Sequence, residues 1–148
     1  MIVVDINLLL YATFTTFEQH EMARAWFEGA LNGGQQVLLP AVSLFGFVRI
    51  ATNPRIFESP LSLEDALASV EAWLSQPHVH SLVPGPRHLE IAFGLLRKVG
   101  AARNLTTDVQ LAAHAIENQA ILCSNDSDFG RFAGLNWENP LAGTDQES

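Results

Sequence analysis

Four aspartates in this 148-residue chain stand where short apolar segments end or where a helix begins. Asp5 and the pair Asp126 and Asp128 each follow a brief apolar run, and Asp108 lies near the start of an alanine-rich segment. If the two runs are neighbouring parallel strands, their carboxyl ends share one crevice, which is the usual ligand site of open α/β sheets. Carboxylates held together repel one another, and a divalent cation bound through oxygen relieves that repulsion. The spacing therefore predicts a Mg²⁺ or Mn²⁺ site.

Each of these aspartates also has an ordinary structural explanation when it is considered alone. Asp5 can cap the following helix, Asp108 can stabilise a helix dipole from the first turn, and Asp126 and Asp128 can form turns. Against this, four polar side chains that could orient carboxylates occur in step with the acids: Asn7, Thr107, Ser124 and Asn125. The spacing alone leaves both a metal site and a coincidence of caps and turns open.

Composition restricts the class of protein. Hydrophobic residues make up 48% of the chain, as in an ordinary globular domain, and the net charge is −8. That charge argues against a broad basic surface for nucleic acid, although six of the eight basic residues fall between Arg49 and Arg103 and could form a basic rim. No apolar run is long enough to span a bilayer and no secretory leader is apparent, so we expect a cytoplasmic protein without membrane contact. The single cysteine, Cys123, is expected to be a buried, unreactive thiol.

Short strands alternate with helices along the chain. This alternation predicts an α/β fold with a parallel sheet and helices on both faces. Residues 1–142 are expected to form one domain, followed by a disordered tail at 143–148. The predicted strands are 2–5, 36–40, 79–82 and 121–124, and the predicted helices begin near Asp5 and then span 17–31, 42–52, 61–74, 88–99 and 107–119.

Two blocks of sequence resemble the PIN domain. The opening Met-Ile-Val-Val-Asp-Ile-Asn-Leu-Leu-Leu-Tyr-Ala is similar to the start of that domain, and residues 107–129 are similar to its second half. The latter block has an acid, an alanine-rich helix, a strand and then Ser-x-Asp-x-Asp-Phe. Residues 129–135 and 139–141 resemble the tail of VapC toxins. Residues 45–49 and 52–57, with Gly-Phe-x-Arg and Thr-Asn-Pro-Arg, resemble a VapC subgroup common in mycobacteria.

This resemblance implies a PIN-like fold and a Mg²⁺- or Mn²⁺-dependent endoribonuclease, the toxin of a type II toxin–antitoxin pair. It implies that Asp5, Asp108 and Asp126 are catalytic metal ligands, with Asp128 as an auxiliary ligand through water. In such an enzyme a metal-activated water would attack the phosphodiester. The partners implied are structured RNA such as transfer or ribosomal RNA, a VapB-like antitoxin and a second copy of the chain.

One position departs from the family pattern. PIN domains usually carry a Glu in a Ser/Thr-x-x-Glu pattern on the helix after the second strand, whereas this chain has Gly46 in Ser43-Leu-Phe-Gly46. The missing carboxylate leaves the number of metal ions, one or two, open. Arg49 lies one turn further along and is predicted to be a catalytic residue that contacts the phosphate or pairs with the acids. A surface role or an ordinary salt bridge for Arg49 also remains open.

Two other classes of function compete with a nuclease. A catalytically degenerate PIN domain that binds RNA or a protein without cleaving would explain Gly46, but the four retained aspartates argue against it. A phosphatase or receiver-like domain is disfavoured because Asp5-Ile-Asn7 lacks a second aspartate and the only lysine is Lys98.

The remaining polar and aromatic residues have simpler interpretations. His78, His80 and His88 lack zinc-ligand spacing and are expected at the surface or at a partner contact, whereas His114 is expected to pack away from the acids. The helices predicted at 17–31 and 61–74 carry many large apolar residues. We expect part of this set to form an exposed groove for the amphipathic helix of an antitoxin: Phe17, Trp26, Phe27, Leu67 and Trp73.

Overall fold

A five-stranded parallel sheet organises the part of the chain that the computed structural model describes, residues 1–142. The expected tail at 143–148 lies outside the described residues. The strands are β1 (Ile2–Val4), β2 (Val37–Pro40), β3 (Val79–Leu82), β4 (Ile121–Cys123) and β5 (Trp137–Glu138), in the spatial order β3-β2-β1-β4-β5. The helices are α1 (Ile6–Thr13), α2 (His20–Asn32), α3 (Ala41–Ala51), α4 (Leu63–Leu74), α5 (His88–Val99) and α6 (Thr106–Glu117), with short 3-10 helices at Arg103–Leu105 and Ser127–Arg131.

The centre of the sheet brings the two ends of the chain together. β1 pairs with both β2 and β4, and Val4 is in register with Cys123. The backbone N–H of Asp5 then donates to the carbonyl of Cys123 at 3.0 Å, so the two strands end side by side. This confirms the parallel neighbours that the apolar runs predict.

Helices cover both faces of the sheet because alternate strand residues point to opposite sides. Val4 and Leu39 belong to the core beneath α1, α2, α3 and α4, whereas Val3, Leu38 and Leu122 belong to the core beneath α5 and α6. The predicted α/β architecture with helices on both faces is therefore confirmed. None of the described helices is long and apolar enough to cross a membrane.

The β5 strand is absent from the elements that the sequence predicts, because two residues are too few to show a strand periodicity. Its position depends on contacts distant in sequence. Leu122 donates from its backbone N–H to the carbonyl of Asn136 at 2.8 Å, and Ser124 donates to the carbonyl of Glu138 at 3.1 Å.

Local signals set the ends of several helices within a few residues of the predicted bounds. Ser62 caps α4, its hydroxyl accepting from the backbone N–H of Asp65 at 3.1 Å. Gly100 ends α5 in the left-handed region with φ of 81°, a conformation that glycine adopts without steric cost.

Most of the apolar side chains expected to line an exposed groove on α2 and α4 are buried or half-buried, although an opening between α1, α2 and α4 remains. Phe27 is buried and its ring contacts Trp73, which also packs against Phe47. Phe17, which precedes α2, packs edge-to-face on Phe57 and is half-buried. Trp26 and Trp73 are also half-buried, and Leu67 is the member of the expected set that stays exposed. Most of these large side chains pack in or against the core between the sheet and the helices on this face.

An exposed apolar groove lies elsewhere, between α3, α4 and the end of β3. Phe45 on α3 is 75% exposed and lines this groove with Leu67 and Val83. Such a patch on a small domain usually marks a contact with another protein chain.

The interface between α5 and α6 contains a buried histidine pair. The rings of His88 and His114 lie 4.3 Å apart between centroids, and both residues are 2% exposed. Neither Nδ1 has a hydrogen-bond partner among the described residues. The prediction that His88 lies at the surface is wrong, because the ring packs against α6 at the point where α5 begins. The prediction that His114 packs away from the acids is confirmed.

We expect this pair to make stability pH-dependent. Burial, and then the nearby His88, lower the pKa of His114 to about 4, although Glu117 partly opposes this. Between this pKa and the ordinary value of 6.5 the unfolded chain binds more protons, so stability is complete above about pH 6.5 and falls towards about pH 4. The urea midpoint of the wild-type protein should therefore drop more between about pH 7 and pH 5 than that of His114→Leu. Titratable groups that both proteins share affect the two urea midpoints equally, so their effect cancels in this comparison. Equal drops of the midpoint in the wild type and in His114→Leu would contradict the prediction.

Candidate functional site

Asp5 occupies the point where β1 ends and α1 begins. It is the N-cap of α1, and its Oδ1 accepts from the backbone N–H of Ile6 at 2.6 Å. Its Oδ2 accepts from the hydroxyl of Ser124 at 2.7 Å, and the residue is only 8% exposed. Burial raises the pKa of Asp5 and the charge of Asp126 adds to this, against the opposing effect of the two hydrogen bonds. Asp5 is thus both a helix cap and a buried carboxylate aimed at the other acids.

Ser124 connects the acids that follow β1 and β4. Its hydroxyl oxygen accepts from the backbone N–H of Asp126 at 3.0 Å and from the amide of Asn7 at 3.3 Å, while it donates to Asp5. The backbone N–H of Asn125 lies 3.5 Å from the Asn7 amide oxygen. Asn7, Ser124 and Asn125 therefore take the orienting position that the sequence predicts for them. For Thr107, no hydrogen bond to this network occurs within the described residues.

Two residues that sequence reasoning did not single out for the site support it from β5. The indole N–H of Trp137 donates to the carbonyl of Ser124 at 3.1 Å, and the amide of Asn139 donates to the side-chain oxygen of Asn125 at 3.1 Å. The only signal for this role was the family-like Asn-Pro-Leu at 139–141. Trp137 packs against the core beneath α5 and α6 and also holds the loop after β4.

Asp108 joins the same group from the first turn of α6. The pKa of Asp108 is raised to about 6, first by burial and then by the charges of Asp5 and Asp126, while Arg131 partly opposes this. Asp5, Asp108 and Asp126 are therefore within electrostatic reach of one another although they lie on three different elements. This is the convergence that the sequence predicts.

Asp128 has a different environment from the other three acids. Asp126 caps the 3-10 helix after β4, its Oδ1 accepting from the backbone N–H of Asp128 at 2.9 Å, which is the turn role left open for it. The Asp128 carboxylate pairs with the Arg131 guanidinium at 3.1 Å, and Arg131 Nε also donates to the Asp128 carbonyl at 3.1 Å. Arg131 is therefore a site residue that sequence reasoning missed, and its only signal is its place three residues after an acid.

An open cleft of about 400 Å³ lies over this group. Its lining includes Asp108, Asp126, Asp128 and Arg131, together with residues from the end of α5 and the segment that joins α5 to α6: Val99, Ala101, Arg103, Asn104 and Leu105. Asp5 is buried and is not among the residues that line it. The lining therefore combines an acidic group with a segment that mixes apolar groups, a cation and an amide.

Helix α3 contributes no acid to this cleft. Its buried Ser43 donates to the carbonyl of Val4 at 2.9 Å, which holds α3 against the end of β1. A Cβ added at Gly46 would lie 2.5 Å from Cδ1 of Ile6, so the isoleucine fills the space where a longer side chain would begin. Arg49 is exposed, does not line the cleft and forms no ion pair with a described residue.

The donor set agrees in its chemistry with a hard divalent cation. Oxygen atoms of carboxylates are the ligands that Mg²⁺ and Mn²⁺ prefer, and the mutual repulsion seen at Asp108 is what a cation relieves. As the side chains stand, no group of three or more His, Cys, Asp or Glu residues within residues 1–142 is arranged to hold a metal ion. The acids would have to close by a change of side-chain conformation, which the open cleft permits for Asp108 and Asp126.

Comparison with known proteins gives consistent results. Residues 2–135 match the family model described as the PIN domain. Ribonuclease VapC33 of Mycobacterium tuberculosis is 55% identical over 141 residues, which covers 95% of this chain and 99% of that protein. Ribonuclease VapC37 of the same organism is 44% identical over 142 residues, which covers 96% and 99%.

Solved structures agree at the level of the fold. VapBC2 from Rickettsia felis, bound to a DNA fragment from its promoter, aligns with a TM-score of 0.68 at 19% identity, covering 94% of this chain and 98% of that one. Mycobacterium tuberculosis VapC20, described as a Sarcin-Ricin loop cleaving toxin, aligns with a TM-score of 0.68 at 16% identity, covering 92% and 99%. The acids gathered at the end of β1 and β4, the parallel sheet and these similarities together show that this chain belongs to the VapC ribonuclease family of PIN domains.

Proposed function

We propose that this protein is the toxin of a VapBC-type toxin–antitoxin system and acts as a Mg²⁺- or Mn²⁺-dependent endoribonuclease. The observation that carries this proposal is that Asp5, Asp108 and Asp126 lie within electrostatic reach of one another beside one cleft, in a chain whose relatives at 55% and 44% identity are named ribonucleases. The Gly-Phe-x-Arg and Thr-Asn-Pro-Arg blocks lead us to place it in the VapC subgroup that carries them.

Asp5, Asp108 and Asp126 would hold the cation, with Asp128 contributing through water. A cation bound there would stabilise the negative charge of a phosphodiester under attack and would lower the pKa of a bound water. The absence of a carboxylate at Gly46 favours fewer ligands at one side of the cleft, so we propose a single tightly held ion.

The chain's own residues supply the orientation. Ser124 donates to one oxygen of Asp5 and the backbone N–H of Ile6 donates to the other, which fixes the plane of this carboxylate. Asn7 and the backbone N–H of Asp126 donate to the same hydroxyl, so Ser124 keeps its proton directed at Asp5. Fixed carboxylates of this kind reduce the reorganisation that the site needs when substrate binds.

Two alternatives receive less support. A PIN domain that binds without cleaving would suit the missing acid at Gly46, but the orienting network around Asp5 would then have no use. A catalytic role for Arg49 would require an exposed side chain to reach the cleft from α3, and Arg131 already brings a guanidinium to the acids.

For the substrate we propose structured RNA, such as transfer or ribosomal RNA. The solved VapC20 is described as a toxin that cleaves the Sarcin-Ricin loop, which is a structured RNA target. For the partners we propose a VapB-like antitoxin, as in the VapBC complexes, and a homodimer. The exposed patch around Phe45 and Val83 would be covered by the second copy, because large apolar residues at this exposure are costly in water.

Asp108→Asn should raise the melting temperature at neutral pH in the absence of divalent cations, because it removes one of the mutually repelling charges. The pKa of Asp108 is raised to about 6, so the folded protein binds more protons than the unfolded chain between its ordinary value of 3.8 and about 6. The loss of folding stability caused by the Asp108 charge is therefore complete above about pH 6 and disappears towards pH 3.8. Relief of about 1 kcal/mol corresponds to roughly 2–4 °C by differential scanning fluorimetry. Mg²⁺ should then stabilise the wild type more than the variant, and Asp65→Asn is the matched control. A variant that melts below the wild type would contradict this.

Asp5→Asn should abolish cleavage of RNA while the fold is retained. The amide keeps the shape of the side chain but loses the charge that would hold the cation. Cleavage is measured on total RNA with Mn²⁺, and cation binding is measured by anomalous diffraction from crystals soaked in Mn²⁺. The control is Asp65→Asn, which makes the same chemical change at an exposed position of α4. Wild-type cleavage by Asp5→Asn, or Mn²⁺ bound only elsewhere, would refute the proposed mechanism.

Hydrogen exchange should distinguish the surface that binds the antitoxin from the surface between two copies of the chain. We expect the antitoxin encoded beside this gene to protect residues 17–31 and 61–74, where an opening between α1, α2 and α4 is bordered by Phe27, Leu31 and Trp73. Residues 41–48 and 82–93 should already be protected without antitoxin, at concentrations where the chain is dimeric, and should lose protection on dilution. Antitoxin protection that leaves both helices unchanged would exclude them as its binding surface.

A further inference from the structure

Two arginines border the cleft and have no part in holding the cation. Arg131 lies beside the acids, where its guanidinium contacts Asp128 and its charge reaches Asp108. Arg103 lines the same cleft from the start of the 3-10 helix that precedes α6. The lining of the cleft thus contains two guanidinium groups, one beside the carboxylates and one on the segment that joins α5 to α6.

The backbone at Arg103 is strained. Its φ is 44°, in the left-handed region, where residues other than glycine, asparagine and aspartate are uncommon. Strained conformations of this kind cost on the order of 1 kcal/mol or more and occur frequently at binding sites. Arg103 is exposed and forms no ion pair with a described residue, so no internal contact explains why a long cationic side chain occupies this position.

The Arg131 guanidinium has more hydrogen-bond donors than its contacts with Asp128 use. The guanidinium has five N–H donors, of which one nitrogen faces the Asp128 carboxylate and Nε donates to the Asp128 carbonyl. The side chain remains 39% exposed, so its other donors face the solvent of the cleft.

We propose that Arg103 and Arg131 bind two phosphates of the RNA backbone at the cleft that the carboxylates line, and so position the strand in it. The inference depends on the proposed function only in that the ligand is RNA. A phosphodiester approaching Asp5, Asp108 and Asp126 meets a concentration of negative charge in a chain of net charge −8, and two guanidinium groups in the lining of the cleft offset that repulsion. Guanidinium groups suit this task because they bind phosphate oxygens through two parallel hydrogen bonds.

The side of the cleft around Arg103 agrees with a nucleotide as well as with a phosphate. Val99, Ala101 and Leu105 give it an apolar surface, and Asn104 adds an amide. The face of a base or ribose can lie on such a surface while the phosphate is held by the arginine. Contacts to phosphates position a nucleic acid without selecting its sequence, so these two arginines are positioning residues.

The test measures binding separately from cleavage. A fluorescein-labelled single-stranded RNA of mixed sequence is titrated, without divalent cations, against the Asp5→Asn protein at several salt concentrations. For single strands each phosphate contact contributes about 0.7 to the slope of log affinity against log salt. Arg131→Gln and Arg103→Asn should each lower the slope by about that amount. Arg131→Lys and Arg103→Lys keep the charge and should keep the slope, and Arg24→Ala, on a helix of the opposite sheet face, is the control for net charge.

The melting temperature distinguishes a role of Arg103 in positioning RNA from a role in stabilising the fold. Asparagine tolerates the left-handed backbone, so Arg103→Asn should leave the melting temperature unchanged or raised while it weakens RNA binding. Unchanged slopes in both arginine variants would overturn the proposal, as would a loss of slope equal to that of Arg24→Ala. If the protein with Asp5 fails to cleave RNA while the slopes change as expected, the proposed catalysis is wrong and the phosphate contacts stand. If it cleaves RNA and the slopes do not change, the proposed phosphate contacts are wrong and the proposed catalysis stands.

Discussion

The hydrogen bond between the Ser124 hydroxyl and the Asp5 carboxylate connects the two central strands at the point where both end. It joins residues 119 positions apart and is buried. Around it the backbone N–H of Asp5 bonds to Cys123, and the hydroxyl of Ser124 accepts from Asn7 and Asp126. Because every oxygen and nitrogen in this group has a partner, a carboxylate can remain buried at the end of β1. The position of the remaining acids follows from it, since Asp126 is anchored to the same hydroxyl.

The same arrangement has an electrostatic cost that the rest of the molecule reduces only in part. Burial and neighbouring charges raise the pKa of both Asp5 and Asp108, so the folded chain holds carboxylates that would be more stable apart. Arg131 offsets some of this charge from one side. A protein that keeps such a cluster loses stability, and groups with perturbed pKa values kept at such a cost are typical of functional sites.

The layer formed by α1, α2, α3 and α4 on one face of the sheet shows which apolar residues are buried and which remain exposed. Phe27 of α2 packs on Trp73 of α4, which also packs on Phe47, so the apolar groove that remains open lies between α3, α4 and the end of β3 instead. The helix pair α5 and α6, with its buried histidines, forms one side of the cleft through the segment that joins it. The cleft therefore depends on the packing of that pair as well as on the acids.

The alternation of strands and helices, the ends of most helices and the aspartates of the cluster could all be predicted from the sequence, because they depend on local periodicity, capping residues and acids placed directly after strands. Burial could not be predicted for Phe27 or His88, since an amphipathic pattern does not say how thick a layer will cover it. The sequence also gave no sign that Ile6 fills the space beside Gly46, or that Arg131 and Trp137 support the site. Those features are contacts between segments far apart in the chain, and only the order of strands in the sheet decides which segments meet.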